Sequence, residues 1–513
     1  MAKNLIFIVA YNHEKYIEKV ISRIPDSVIS NNQNEVLIID DASKDSTFFV
    51  SDTIRERLKG RAVITVLKNP VNQGYGGNQK LGYRYAIDNG FDRVFMVHGD
   101  GQYAPELLSE LIAEYDSQKK PDAVFGTRMY SVKSALKGGM PLYKLIGNKI
   151  LTRVQNGILK SKMSEFHSGY RSYSIDLLKR IPFEKGSNDF HFDTEIIIQC
   201  RAANAEIVEI PIPTHYGDEI CHVNGMDYAW NVLKAAIHYR IQQMGFLYDR
   251  KFDVVPYQRP QKLSPYSSHS QVVNQVAPFT RVLDVSCGKG HIAKRLIEKG
   301  CIVDGVDSLD ESKLEAGFRH YYQMDLVENP DQIKTIFQKN EYDYIVLGDL
   351  LERVNEPDHV LDLIRTFHKV RPRPVIIAFT SNVAFFITRT MLTIGKFNYG
   401  TRGILDRHHV RLFTKKSFTH LFEQSSFMIK SVSGISLPFS SIFGESSRLA
   451  RRFEALNHWF TRIIPGAFSY QILITAEPLP TTNQILEICG DYSEKLRTND
   501  KKVEGKLYLA ENQ

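Results

Sequence analysis

The feature that most constrains this chain is an alternation of short apolar runs with amphipathic stretches, met from residue 4 and again from Arg281. In the first half LIFIVA is followed by Tyr16, Ile17, Val20, Ile21 and Ile24 at helical spacing, then by EVLIID and a second helical stretch. A β-α-β-α succession of this kind predicts a parallel sheet sandwiched by helices. Further strands are predicted at Val63–Leu67, Arg93–His98 and Ala123–Gly126, with a helix over Asn78–Ile87. In the second half the same rhythm runs through RVLDVSCGKG, CIVDGVD, YDYIVLGD and PVIIAF, with a last strand expected in SYQILITAEP. Between the halves, residues 245–275 are rich in Pro, Ser, Gln and Tyr and hold no period, which reads as a linker. The expected fold class is α/β with two doubly wound, Rossmann-like domains, over 1–244 and 276–480, followed by a polar C-terminal tail over 481–513.

A chain of 513 residues exceeds what one core usually serves, so two catalytic units fit. The apolar fraction of 43% and charged fraction of 24% are those of a globular enzyme. The net charge of +7 comes without a dense Lys/Arg tract, which argues against nucleic acid and suits phosphate-bearing ligands equally well. Five scattered cysteines, without metal-ligand spacing, imply neither a disulfide framework nor a zinc site, and a reducing cytoplasm is the simpler setting. The apolar run in MAKNLIFIVAYNHE is too short for a signal peptide, and no segment approaches the roughly 20 apolar residues of a spanning helix. No feature of the sequence sets an oligomeric state.

Two clusters in the first half carry chemistry. EVLIID runs into Asp40, Asp41 and a turn to Thr47, placing two carboxylates at the C-terminal edge of a parallel strand, where they can hold a base and ribose. The plain alternative is a strand–turn–helix connection capped by Asp45 or Ser46. RVFMVHGDGQY ends with His98, Asp100 and Gln102 at alternate positions, which share one side if the extended backbone continues and can then grip one divalent ion. At this point the sequence resembles the family 2 glycosyltransferases, in particular the branch of dolichyl-phosphate mannose synthase, whose Asp-x-Asp segment stands here with His98 in place of its first Asp. A His ligand favours Mn²⁺ somewhat over Mg²⁺.

The resemblance spans roughly residues 3–240 and implies a GT-A fold and a nucleotide-sugar donor. Ala10, Tyr11 and Asn12 match the family's first-strand segment, and Asn72–Lys80 its glycine-rich segment, with glycines approaching the donor and Lys80 reaching its phosphates. Arg128, after Gly126-Thr127, and Arg171, in Ser168-Gly169-Tyr170-Arg171, match segments suited to clamping phosphate; Lys144 is a weaker third. Asp193 and Glu195 open an apolar helix where relatives with hydroxyl acceptors carry a base; the alternative is a pair of acids favoured by the helix dipole. The implied reaction is a single inverting displacement. A polyprenyl-phosphate acceptor would arrive ionised and need no base, whereas a saccharide hydroxyl would need Asp193 or Glu195.

RVLDVSCGKGHIA resembles motif I of class I S-adenosylmethionine-dependent methyltransferases, with Asp284, Gly288 and Gly290 in place and Ser286 where the first glycine is usual. The resemblance implies ribose contacts from Asp307 and an adenine contact beside Asp325. Asp349–Val354 matches a later segment with Arg353 in place of His, and in DRHHVRLFT His409 stands as general base for an alcohol acceptor or as a structural residue. Two insertions, Val383–Tyr399 and Ser447–Ile464, follow. The second sets Leu449, Phe453, Leu456, Phe460 and Ile463 at helical spacing beside arginines, as a cap on the domain or as peripheral contact at the inner face of the membrane. The combined expectation is a cytoplasmic bifunctional enzyme of glycan or glycolipid assembly. Its alternative is a glycosyltransferase for a soluble saccharide or natural product carrying a non-catalytic methyltransferase-like binding module.

Overall fold

Every residue of Asn4–Ala10 is buried, so this strand, β1, must lie between two covered faces. The computed structural model describes residues 2–129, 139–213, 224–254, 265–337, 340–367, 373–437 and 448–497. Contacts divide the chain into two units, Met1–Tyr257 and Gln258–Gln513. In the first unit β1 is joined by β2 (Asn34–Asp40), β3 (Ile64–Lys68), β4 (Arg93–His98), β5 (Ala123–Thr127), β6 (Arg171–Ser174) and β7 (Ile207–Pro211), in the sheet order β3-β2-β1-β4-β6-β5-β7. Strands β1 to β4 run parallel, as expected. The short β6 is inserted between β4 and β5 and runs antiparallel to both, so the sheet is mixed. Its sequence, Arg-Ser-Tyr-Ser, is too short and polar to announce a strand.

Side chains alternate along β1 and found two cores. Leu5, Phe7 and Val9 pack with Tyr83, Phe192 and Ile196 on one face. Ile6, Ile8 and Ala10 pack with Ile17, Val20 and Ile21 on the other.

The second unit builds its sheet from β8 (Arg281–Val285), β9 (Ile302–Asp307), β10 (Tyr321–Gln323), β11 (Tyr344–Gly348), β12 (Val375–Ser381), β13 (Phe427–Ile435) and β14 (Gln471–Pro478). The order is β10-β9-β8-β11-β12-β14-β13. Five strands are parallel, and β14, the last strand foreseen from sequence, enters between β12 and β13 antiparallel to both.

The stretch expected as a linker is shared between the units. Phe252 lies in the first core, Ser268–Gln275 forms a helix whose Val272 and Val273 join the second, and 255–264 fall outside the described residues. Of the expected tail, Thr482–Arg497 is helical and 498–513 fall outside the described residues.

Helix Tyr75–Asp88 meets β1 at Gly82, where an added Cβ would lie 2.2 Å from the Phe7 ring. Gly82→Ala is expected to destabilise the first unit by about 1–3 kcal/mol through overpacking, read by denaturant titration.

Candidate functional site

The register of β1 pairs Ala10 with Asp40 and Val9 with His98, so three strands end together at the carboxyl edge where open α/β sheets bind ligands. Two loops leaving that edge are stitched together. Asn12 N–H donates to Ser43 Oγ at 2.8 Å, Lys44 N–H to Asn12 Oδ1 at 3.0 Å, and Ser46 N–H to Glu14 Oε2 at 3.0 Å. Asp40 is fully buried, accepts from Ser43 N–H at 2.9 Å and pairs with Lys68 at 3.3 Å. Asp41 Oδ1 accepts from the Asn69 amide at 2.7 Å and from Gln73 N–H at 2.8 Å. Both carboxylates therefore build the loops. Ala10 is buried beneath them, and Tyr11 is exposed at the edge.

The expected alternation of His98, Asp100 and Gln102 does not form. Strand β4 stops at His98, and a turn with Gly101 at φ 76° replaces the extended backbone that the shared face required. Asp100, partly exposed, accepts from Gln102 N–H at 2.9 Å within that turn. His98 instead packs among Tyr75, Tyr103 and Gly169. Tyr75 O–H donates to Asp193 Oδ2 at 3.1 Å, so His98 Nε2, 3.1 Å from the same oxygen, must be the donor to Tyr75. Burial holds the His98 imidazole below its ordinary pKa, hence neutral. Among the described residues no three His, Cys, Asp or Glu side chains are grouped to hold a metal.

The glycine-rich segment is close-packed for a different reason from the one expected. At Gly76 an added Cβ would lie 2.5 Å from Ser187 O, and at Gly74 2.5 Å from Asn188 O, so the glycines admit the protein's own 187–189 loop. Lys80 donates to Gly186 O and to Asn188 Oδ1 and is spent on that loop too.

The two arginines stand behind the edge as internal ties and are not placed as phosphate clamps. Arg171, fully buried, donates to Ser168 O at 2.7 Å, Asp193 O at 2.6 Å and Phe166 O at 2.8 Å. Arg128 pairs with the buried Glu165, its Nε at 3.0 Å from Oε1. Burial pushes the Glu165 carboxyl up, and Arg128 more than offsets it, leaving the group below its usual range. Lys144 lies on helix Leu142–Leu159.

Asp193 and Glu195 are two residues apart on helix Phe192–Ala202 and so face different sides. Asp193 joins the His98–Tyr75 cluster and takes the Gln79 amide at 3.1 Å. Glu195 points away, accepting from Ser187 N–H at 2.6 Å and Lys251 Nζ at 2.8 Å. Tyr103, Glu165 and Lys251 escaped the sequence reading, and Tyr75 and Gln79 entered it only as members of the Asn72–Lys80 segment, because the partners that give these side chains a role come from elements distant in sequence.

In the second unit a cavity of about 290 Å³ opens at the ends of β8, β9 and β11, lined among others by Ser286, Asp307, Asp325, Arg353 and His408. Asp307 is fixed by Gly288 N–H at 2.7 Å and Leu309 N–H at 3.1 Å. Asp325, exposed, accepts from Val327 N–H at 3.0 Å. Ser286, Gly288 and Gly290 all have positive φ, at 61°, 56° and 86°. At Gly290 a Cβ would lie 2.6 Å from Ala316 Cβ, while at Gly288 it would meet open space.

Residues 5–181 match the family model of the glycosyl transferase family 2, and residues 243–432 match that of a methyltransferase domain. The chain is a transferase carrying both domains. It is similar to the UDP-N-acetylglucosamine--dolichyl-phosphate N-acetylglucosaminyltransferase of Methanococcus voltae, at 27% identity over 227 residues, or 42% of this chain and 88% of that one. It is also similar to the undecaprenyl-phosphate mannosyltransferase of Micrococcus luteus, at 26% identity over 216 residues, or 40% and 82% of the two chains. Among solved structures, glucosyl-3-phosphoglycerate synthase from Mycobacterium tuberculosis with uridine diphosphate aligns over 46% of this chain and 79% of its own, at 16% identity and a TM-score of 0.35.

In the methyltransferase domain the general-base role does not fit His409. Its Nε2 is 3.0 Å from Glu352 Oε1 and its Nδ1 is 3.1 Å from Ile404 O, so both ring nitrogens are taken and both can only donate to those partners. Although burial works against the charge, Glu352 raises the His409 pKa, which leaves a buried ion pair and no free base. The neighbouring His408 lines the cavity, its Nδ1 2.8 Å from Asp406 Oδ1.

At the end of β8 Asp284 is buried, and burial together with the Asp307 charge pushes its carboxyl from 3.8 up to about 7. The folded domain thus holds the Asp284 proton more tightly than the unfolded chain does. Stability from this group is fully present below pH 4 or so and is lost as pH rises through about 7. Asp284→Asn is expected to flatten that decline, measured as the melting temperature of the methyltransferase transition across this range.

Proposed function

We propose that the glycosyltransferase domain moves a sugar, with inversion, from a nucleotide-sugar to a polyprenyl phosphate, and that the methyltransferase domain uses S-adenosylmethionine within the same glycan or glycolipid assembly. The observation that carries the acceptor is the engagement of both candidate bases. Glu195 is locked by Lys251 and Ser187, and each Asp193 oxygen already accepts a hydrogen bond. An ionised phosphate attacks without losing a proton, so such a site suffices for it and is poorly suited to a hydroxyl. The two relatives, named for transfer to dolichyl phosphate and undecaprenyl phosphate, support the same class. Helix Leu142–Leu159 adds that Leu142, Ile146, Ile150 and Val154 are exposed along one stripe and that the helix carries no acid, as a surface beside lipid would. No described helix is long and apolar enough to cross a membrane. With a lipid-borne acceptor, the proposed place of work is peripheral, at the cytoplasmic face of a membrane.

The donor nucleotide is assigned to the edge at Tyr11, Asn12 and the turn from Asp40. Of the three expected metal ligands, Asp100 is the carboxylate; partly exposed, it would hold Mn²⁺ or Mg²⁺ jointly with the donor diphosphate. The ion would neutralise the leaving diphosphate. His98, Tyr75 and Asp193 position the floor of the site. In the methyltransferase domain the open turn at Gly288 and the pinned Asp307 fit a nucleoside with a free ribose edge.

Two measurements test the reading. With polyprenyl phosphate in detergent and UDP- or GDP-sugars as donors, Asp193→Asn should keep turnover within about tenfold, whereas a hydroxyl acceptor would lose about 10²-fold or more; transfer to a free saccharide alone would sink the lipid acceptor. By calorimetry on the full chain, Asp307→Ala should weaken S-adenosylmethionine binding by about 1.5–3 kcal/mol, and unchanged affinity would show that the pocket lies elsewhere.

A further inference from the structure

Helix Arg448–Ile463 of the methyltransferase domain is amphipathic, and a helix that merely capped the domain would turn its large apolar side chains inward. It is turned the other way. Asn457 and Thr461, 7% and 2% exposed, face the domain, where Thr461 Cγ2 sits 2.5 Å from the place a Cβ on Gly434 of β13 would take. Leu456, Trp459 and Ile463 face outward, 51%, 55% and 54% exposed. The preceding insertion does likewise, with Leu392 and Ile394 exposed on and just after helix Phe386–Thr393. Ring contacts of Phe468 with Phe386 at 5.4 Å and with Phe460 at 4.9 Å join the two elements.

Charge completes the pattern. Residues 383–399 and 448–464 contain six Lys or Arg and one acid, Glu454, although the whole chain is nearly balanced at +7. Arg389, Lys396, Arg452 and Arg462 are exposed on the same elements. Exposed apolar side chains in this number are costly in water, and basic residues on the same elements are attracted to anionic headgroups.

We propose that these two insertions dock the methyltransferase domain on an anionic lipid bilayer, with Leu456, Trp459 and Ile463 entering the headgroup–acyl boundary and the arginines meeting lipid phosphates. The docking deepens the membrane placement proposed above and rests on it, because it brings the methyltransferase cavity to lipid-borne acceptors.

Trp459 reports on its own position, since Trp230 is the only other tryptophan. In the full chain carrying Trp230→Phe, emission should shift to the blue on addition of phosphatidylglycerol-containing vesicles and be quenched by brominated acyl chains. High salt or pure phosphatidylcholine should weaken both effects. Leu456→Glu with Ile463→Glu, at an unchanged melting temperature, should lower the vesicle partition coefficient roughly tenfold or more, given the apolar area removed from the bilayer. The proposal is overturned if the chain floats with vesicles while Trp459 stays unshifted, if it does not bind them, or if the double variant binds as wild type. It is also overturned if the double variant abolishes a self-associated form and leaves vesicle binding alone, since the face would then join copies of the chain. Sugar transfer to polyprenyl phosphate in detergent needs no bilayer. An active enzyme that ignores vesicles sinks the docking face alone, and one that inserts Trp459 but ignores polyprenyl phosphate sinks the acceptor alone.

Discussion

The glycosyltransferase site depends on one buried cation. Arg171, the first residue of β6, has almost no contact with solvent, and its guanidinium ties Phe166 and Ser168 of the preceding loop to the first turn of helix Phe192–Ala202. A buried guanidinium left unpaired would cost several kcal/mol, so the three carbonyls and the Asp193 carboxylate at 3.6 Å are held where they are. That position of Asp193 sets Tyr75, and Tyr75 sets His98. The antiparallel insertion of β6 between β4 and β5 is what carries Arg171 under the carboxyl edge. Arg128, just beyond the end of β5, and Glu165 of the loop before β6 repeat the device. The cations of this domain thus organise a polar floor, and what meets the donor is the loop backbone and the few side chains presented above it.

The methyltransferase domain is governed by a crowded turn. Three residues with positive φ in five let the chain leave β8 and enter helix His291–Glu298 while keeping Gly288 N–H on Asp307. Gly290 is required by its contact with Ala316, and Ser286 accepts a conformation that a glycine would take at less cost. The turn also brings Asp284 and Asp307 together, and like charges in a buried place are relieved by one carboxyl keeping its proton. Across the cavity, the Glu352–His409 pair pins the loop that presents His408, with Glu352 O also accepting from Val410 and Arg411 N–H.

Both domains were legible from sequence where chemistry is local. Apolar runs of strand length announced β1, β2, β4, β8, β9, β11 and β12, because a strand buried on both faces needs only a continuous apolar stretch. The glycines at 74–77 were marked as a close approach, and Gly74 and Gly76 make one. What they approach was decided by the fold: the 187–189 loop lies more than a hundred residues from Gly76, and no local pattern encodes it.

The sequence by itself determined two α/β units, the strand ends that gather His98, Asp100, Asp40 and Asp307 at carboxyl edges, and the order of their motifs. These follow from periodicity and turn chemistry, which act over a few residues. Tertiary structure alone decided which of those side chains are left to act. It broke the His98–Asp100–Gln102 alternation at a glycine turn, spent Arg128, Arg171, Lys80 and Glu195 on internal partners, chose His408 over His409 for the cavity, and turned the apolar face of helix Arg448–Ile463 outward. Each outcome turns on whether a polar group finds a buried partner or an apolar one finds a covered face, and those partners come from elements distant in sequence.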